Sequence, residues 1–292
     1  MSAKDILTQD LVFPLTTCDH AVLLLHGLRS TPQEMSYLAK CLARQGFAVF
    51  APYLKGYGLG EPCSTAEEWR EQVQAHYTRL RSTYGNVSVG GLCIGATLAL
   101  ALAAENPDLL AVSLLSVTLA YDGWTIPWYH WMLTMAYKTP LRNLYSLRER
   151  APYGLKNVAL RNRVARSMQH EGNSEIGAAS LSMHHIFEAR NLARFVLNNI
   201  ASVKADCLLI HAIDDDIATT ANADCVYARI SSLRKRKIFL DDCYHIITMD
   251  NERELVARET QWFFEEAAES RCLGLTSGAN EDLLRPASGG LT

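Results

Sequence analysis

The sequence has no run of 18 uninterrupted apolar residues, so nothing in it reads as a membrane-spanning helix. Its opening, MSAKDILTQD, carries no apolar stretch of the secretory-leader kind, and a cytoplasmic location is the expectation. No Cys-x-x-Cys pair occurs: Cys18, Cys41, Cys63, Cys93, Cys207, Cys225, Cys243 and Cys272 stand singly. In a cytoplasmic chain most of them should be reduced, buried and effectively apolar. Neither charge sign dominates, with 28 Lys and Arg against 31 Asp and Glu, so net charge neither favours nor forbids nucleic acid. Internal repeats are also lacking, and 17 Gly and 9 Pro in 292 residues exclude a collagen-like or wholly disordered chain. At roughly 150 residues per domain, the length suits two domains or one large α/β domain with an insertion.

What is present is an alternation of strands and helices. Short apolar runs at His20–Leu25, Phe47–Pro52, Val87–Gly91 and Leu110–Val117 read as strands. Between them, Ser30–Gln45, Thr65–Thr83 and Ile94–Glu105 read as helices, the last apolar on nearly every side and therefore buried. The rhythm resumes with strands Cys207–Ala212 and Lys237–Leu240 and helices Thr220–Leu233 and Asn251–Ala268. This pattern predicts an α/β fold with a mostly parallel sheet covered by helices on both faces, its chemistry at the strands' C-terminal ends. Residues 119–203 show no convincing strand and read as an inserted helical cap, flanked by a core of 1–118 and 204–270. Residues 271–292, Ser/Gly-rich and aperiodic, read as a mobile tail.

The decisive segment is Gly91-Leu92-Cys93-Ile94-Gly95, a G-x-S-x-G pattern with cysteine in the serine position, between a predicted strand and a predicted helix. Such an elbow strains the nucleophile's backbone and brings neighbouring residues together, so Gly91 and Gly95 are needed on either side. Composition alone would give roughly 0.03 such matches. Sulfur at a helix N-terminus feels a dipole that favours thiolate, yet an ordinary thiol is mostly protonated at neutral pH and needs a base. Cys93, Asp215 and His245 occur in the order nucleophile, acid, histidine, with Asp215 and His245 each just beyond a predicted strand. Asp214 and Asp216 compete with Asp215 for the acid role. The backbone amides of Leu28, in His26-Gly27-Leu28, and of Ile94 are the expected oxyanion donors, with His26 shaping the loop.

These pieces resemble the α/β-hydrolase superfamily, in particular its carboxylesterase and monoacylglycerol-lipase-like branch. The resemblance rests on Leu23–Leu28, Pro52–Gly58, Gly91–Gly95, the Asp215 loop and Cys243–Thr248. It covers about residues 20–118 and 205–268 and implies the α/β-hydrolase fold with an inserted cap. That branch uses serine; cysteine in the elbow is similar to dienelactone hydrolases and polyhydroxyalkanoate synthases. An acyl-cysteine is a thioester, more reactive toward amines and thiols relative to water than an oxygen ester is. Hydrolysis of esters or thioesters of apolar acyl groups is the leading expectation from the branch resemblance, and the cysteine itself points toward acyl transfer. Acyl transfer from a coenzyme A or carrier-protein thioester to an amine or alcohol is an alternative, and a non-catalytic binding module on the same scaffold is a third.

Trp124, Trp128, Trp131, Met132 and Met135 cluster in the cap and are expected to line an apolar acyl tunnel. Lys138–Arg166 holds eight basic residues against Glu149 alone, a candidate docking surface for an acidic carrier protein or coenzyme A. Nucleic acid ranks lower because little aromatic interleaving accompanies those charges. His184, His185 and His211 suggest a metal only weakly, because tandem histidines point in different directions on a helix, so no metal is expected, and the chemistry calls for no cofactor.

Overall fold

A computed structural model describes residues 9–126, 146–148, 150–171, 173–174, 177–178 and 180–274. Strands β1 (Leu11–Phe13), β2 (His20–Leu25), β3 (Ala48–Ala51), β4 (Asn86–Leu92), β5 (Ala111–Leu115), β10 (Asp206–Ala212) and β11 (Lys235–Leu240) form one seven-stranded sheet. Its order is β1-β3-β2-β4-β5-β10-β11. Only β1 runs antiparallel, along β3. All other pairs are parallel, with Leu25 opposite Gly91, Leu92 opposite Leu115 and Ile210 opposite Leu115. The C-terminal ends of β2, β4, β5, β10 and β11 thus reach one edge together.

Helices cover both faces. On one lie α1 (Ser36–Arg44) and α7 (Arg253–Cys272), packing Leu38, Leu42, Phe263 and Phe264 against the sheet. On the other lie α2 (Ala66–Arg81), α3 (Ile94–Glu105), α5 (Met183–Asn199) and α6 (Ala221–Arg229), with Trp69, Leu98, Leu192 and Val226 in the core. Every α3 residue from Ile94 to Ala103 is buried, as its apolar composition requires, and each of its leucines contributes about 1.5–3 kcal/mol by leaving water. A capping box starts α2: Thr65 accepts from Glu68 N–H while the Glu68 carboxylate accepts from Thr65 N–H. No helix among the described residues is long and apolar enough to cross a membrane.

Two expectations need correction. The segment 119–203 does contain strands, β6 (Ser146–Arg148) paired with β9 (Ser180–Ser182) and β7 (Asn173–Ser174) paired with β8 (Gly177–Ala178), beside α4 (Val158–Glu171). At two or three residues each, they are too short for an alternation to register in the sequence. The edge strand β1 escaped notice for the same reason. The final helix also continues to Cys272 rather than ending at Ala268, and the remainder of the expected tail, 275–292, lies outside the described residues.

Candidate active site

The strand–helix junction at β4–α3 sets the site. Cys93 has φ 59° and ψ −121°, a backbone conformation that costs a non-glycine residue about 1–3 kcal/mol. Its N–H is anchored to Leu115 O at 2.9 Å. A Cβ on Gly91 would fall inside the carbonyl of Gly95, and one on Gly95 inside the carbonyls of Leu25 and His26. Both glycines are therefore required by close backbone approach. Thr118, just past β5, donates to Ser116 O at 3.0 Å with its hydroxyl 3.6 Å from Cys93 Sγ.

From the β10 loop comes Asp215, and from the β11 loop comes His245. His245 Nδ1 lies 2.9 and 2.8 Å from the two carboxylate oxygens of Asp215. Since a carboxylate only accepts, Nδ1 carries the proton. Asp215 also accepts from Ile217 N at 2.9 Å and Ala218 N at 2.8 Å. His211 Nε2 stands 3.3 Å away on the other side. Burial alone would raise this carboxyl, but the charge of His245 and the hydrogen bonds of His211 and His245 hold it well below the usual range. Burial pulls His245 down, and the Asp215 carboxylate followed by the Cys93 sulfur outweigh it, leaving the imidazole well above its ordinary value. His245 Nε2 is buried, and the Cys93 sulfur is near enough to act on the imidazole.

The three neighbouring aspartates have separate tasks. Asp214 is exposed and pairs with Lys156 at 3.1 Å. Asp216 is buried and ties two loops together, accepting from Gly154 N at 3.2 Å and His245 N at 3.3 Å. Burial pushes its carboxyl up despite the facing charge of His245. Asp250 completes the frame, accepting from Tyr244 N at 2.9 Å and Lys156 N at 2.7 Å.

On the opposite side of Cys93, the β2 loop delivers His26-Gly27-Leu28. The amides of Leu28 and Ile94 donate to no acceptor among the described residues. His26 is fully buried and satisfied: Nδ1 donates to Gly27 O at 2.8 Å, Nε2 accepts from Leu54 N at 3.4 Å, and burial lowers its pKa to about 4. Glu34, on the 3-10 turn Pro32–Met35, is buried beneath this loop. It accepts from Gly27 N and from the Ser30 hydroxyl, the latter at 2.6 Å. Burial pushes its carboxyl up to about 7.

Glu34, Thr118 and His211 were not anticipated at the site, and Asp216, a competitor for the acid role, takes a structural one instead. Thr31-Pro32-Gln33-Glu34 reads as a helix-entry signature, which conceals a buried carboxylate. Trp124 is a correction. It stands 61% exposed, its indole N–H donating to Asp214 O at 3.2 Å and its ring edge-on to Tyr244, so it braces the two loops from outside rather than lining a pocket. Trp128, Trp131, Met132 and Met135 lie outside the described residues. No cluster of three potential metal ligands occurs among the described residues. Of the expected pair of tandem histidines, His184 lies 3.8 Å from Glu188 and His185 bonds Ser182.

Sheet, elbow and loop order together define an α/β hydrolase. More narrowly, the chain belongs to the Hydrolase_4 family, described as serine aminopeptidase, S33, whose pattern matches residues 16–252. It is 27% identical over 250 residues to a thermostable monoacylglycerol lipase of Bacillus sp. (strain H-257), covering 85% of this chain and 91% of that protein. It is 24% identical over 258 residues to a carboxylesterase of Bacillus subtilis (strain 168), covering 85% of this chain and 93% of that one. Among solved structures, the monoacylglycerol lipase of Paleococcus ferrophilus is similar in fold. Its TM-score is 0.73 at 19% identity over 88% of this chain and 98% of that one. The fold of this chain is thus lipase- and esterase-like, with Cys93 at the centre of its elbow.

Proposed function

We propose that this chain cleaves esters or thioesters of apolar acyl groups through an acyl-Cys93 intermediate. The observation carrying this reading is the buried Asp215–His245 pair, whose imidazole is acted on by the sulfur of Cys93 in the strained elbow. His245 Nε2 takes the thiol proton as Sγ attacks the carbonyl carbon. The resulting oxyanion is met by the unengaged amides of Leu28 and Ile94. As the carbon–oxygen bond breaks, the proton passes from Nε2 to the leaving alkoxide. Water then attacks the thioester, giving its proton to His245; collapse breaks the carbon–sulfur bond and the proton returns to sulfur. Ester-cleaving relatives support the substrate class.

Acylation with a p-nitrophenyl ester should add one acyl group to Cys93 by mass spectrometry, and Cys93→Ala should lack it. Absence of any adduct in the wild-type protein would defeat the reading. A second reading, acyl transfer, is favoured by the cysteine itself, because a thioester intermediate partitions toward amines. An amine acceptor added to the assay should then divert product from free acid to amide; purely hydrolytic turnover with every acceptor excludes it.

A further inference from the structure

Thr118 stands just beyond β5, almost wholly buried, in a segment held from several sides. Cys93 N–H is tied to Leu115 O, and Ser116, with φ 46°, turns the chain while its N–H bonds Ile210 O at 2.9 Å. One turn into α3, the Thr97 hydroxyl donates to Thr118 O at 2.8 Å. At the start of α6, Asn222 Oδ1 accepts from Leu119 N at 2.9 Å and Ala120 N at 2.8 Å. Asn222 Nδ2 is fixed in turn, donating to Asp122 Oδ1 at 3.0 Å and Thr219 O at 3.1 Å. The backbone of Thr118 is therefore fastened both to α3, which begins at the elbow, and to α6.

Its hydroxyl reaches two acceptors, Ser116 O at 3.0 Å and Cys93 Sγ at 3.6 Å, the latter within hydrogen-bond reach because of sulfur's larger radius. A hydroxyl has one proton to give and lone pairs to receive. While Cys93 is a thiol, the Thr118 proton rests on Ser116 O and the S–H is free to point at the Thr118 oxygen. An ionised sulfur only accepts, and a hydrogen bond to an ionised acceptor is roughly twice as strong as one to a neutral acceptor. Rotation of the O–H then carries the same proton from the carbonyl to the sulfur.

The titratable groups that face this sulfur from other elements are His245 beyond β11 and Tyr57 beyond β3. The Tyr57 hydroxyl donates to His26 O at 2.8 Å, so its proton is committed elsewhere. Gly27 separates Glu34 from Cys93, and Asp215 lies behind His245. We propose that Thr118 donates a hydrogen bond to the ionised sulfur of Cys93 and so holds the nucleophile as a thiolate, alongside the imidazole of His245. This rests on Cys93 being the nucleophile and deepens the ester-cleaving reading at that atom. The thiol proton goes to His245 Nε2 while Thr118 keeps its own. When Sγ attacks the carbonyl carbon, the charge passes to the carbonyl oxygen and the Thr118 proton returns to Ser116 O.

The rate at which iodoacetamide alkylates Cys93, read by mass spectrometry on the peptide that contains it, tests this against pH. Thr118→Val keeps the shape and removes the hydroxyl, and its midpoint should lie about 0.5 pH unit or more above that of the wild-type protein. On the acid limb alkylation should slow about twofold or more, while the alkaline plateau stays level or rises, because a thiolate of higher basicity is the better nucleophile. Thr118→Ser, which restores the hydroxyl, should return the midpoint to the wild-type value. A purely structural part for Thr118 would lower both limbs together and leave the midpoint in place, and that result overturns the proposal. If Thr118→Val does not accumulate as soluble protein, Thr118→Ala and Thr118→Ser form the pair, with the same upward shift expected in the alanine variant. Acylation by a p-nitrophenyl ester separates the two readings. A shifted midpoint with no acyl adduct on wild-type Cys93 ends the ester-cleaving reading and leaves the role of Thr118 standing; an adduct with an unmoved midpoint ends the Thr118 proposal alone.

Discussion

Two buried carboxylates flank Cys93, and their environments have opposite consequences. Asp215 receives two backbone N–H groups and the Nδ1–H of His245, with His211 close behind, and is held ionised far below its ordinary range. Glu34 is just as buried but receives only Gly27 N–H and the Ser30 hydroxyl, and its carboxyl rises to about 7. Burial acts on both in the same direction; the number and charge of the donors decide the outcome. The acid side of the site is therefore an electrostatic device, fixed by charge. The Gly27–Leu28 side is a packing device, fixed by close backbone approach and a carboxyl whose burial raises it to about 7.

The strongest way to break that contrast is Asp215→Asn. The amide is nearly isosteric but cannot hold His245 in the Nδ1–H form as a charge partner. Turnover of a p-nitrophenyl ester should fall about a thousandfold or more while the far-ultraviolet circular dichroism spectrum is unchanged. A loss below tenfold would mean that charge is not what organises this side. The complementary perturbation is Gly95→Ala. The added methyl meets the carbonyls of Leu25 and His26, which are backbone and cannot rotate away. Chemical denaturation should show a loss of more than about 3 kcal/mol, or the variant should fail to accumulate as soluble protein. Wild-type stability would show that the elbow tolerates spreading.

How much of this was legible beforehand follows the same division. The convergence of Cys93, Asp215 and His245 on one sheet edge was readable because each follows a strand in a parallel sheet, and parallel strands bring their C-terminal ends together. Asp215 was preferred over Asp214 and Asp216 without a local signal to separate them, because adjacent residues in a loop point in different directions and only coordinates assign the directions. Asp216 is not the acid but is buried between Gly154 N and His245 N. Its contacts join segments 62 and 29 residues apart, and no local pattern encodes such pairings. Trp124 misled for the reverse reason: aromatic density in an inserted segment suggests a pocket, but here one of those rings packs on Tyr244 at the surface.

Asp216 gives a medium-sized test. Asp216→Ala leaves the buried N–H groups of Gly154 and His245 without acceptors, at a cost of about 1–3 kcal/mol each before relaxation. The Tm should drop by several degrees. Turnover should fall less than for Asp215→Asn, because the Asp215–His245 contact itself survives. A drop in kcat equal to that of Asp215→Asn would assign the charge role to both aspartates.

The smallest effect is the most discriminating for the Gly27–Leu28 side. Glu34 has a folded-state pKa of about 7 against an ordinary 4.5, so the folded protein binds this proton more tightly than the unfolded chain does. Its contribution to stability is complete below about pH 4.5 and is lost as the pH rises through about 7. Glu34→Gln cannot titrate and keeps a carbonyl acceptor for Gly27 N–H or the Ser30 hydroxyl. Buried His20 and His26, lowered to about 4, act in the opposite sense, adding stability as the pH rises from about 4 to 6.5. They are present in both proteins and cancel in the difference. The Tm of Glu34→Gln minus that of the wild-type protein should therefore climb by a few degrees between pH 4.5 and 8. A flat difference would mean that Glu34 stays ionised throughout, held like Asp215, and the asymmetry between the two sides of Cys93 would then lie in backbone packing alone.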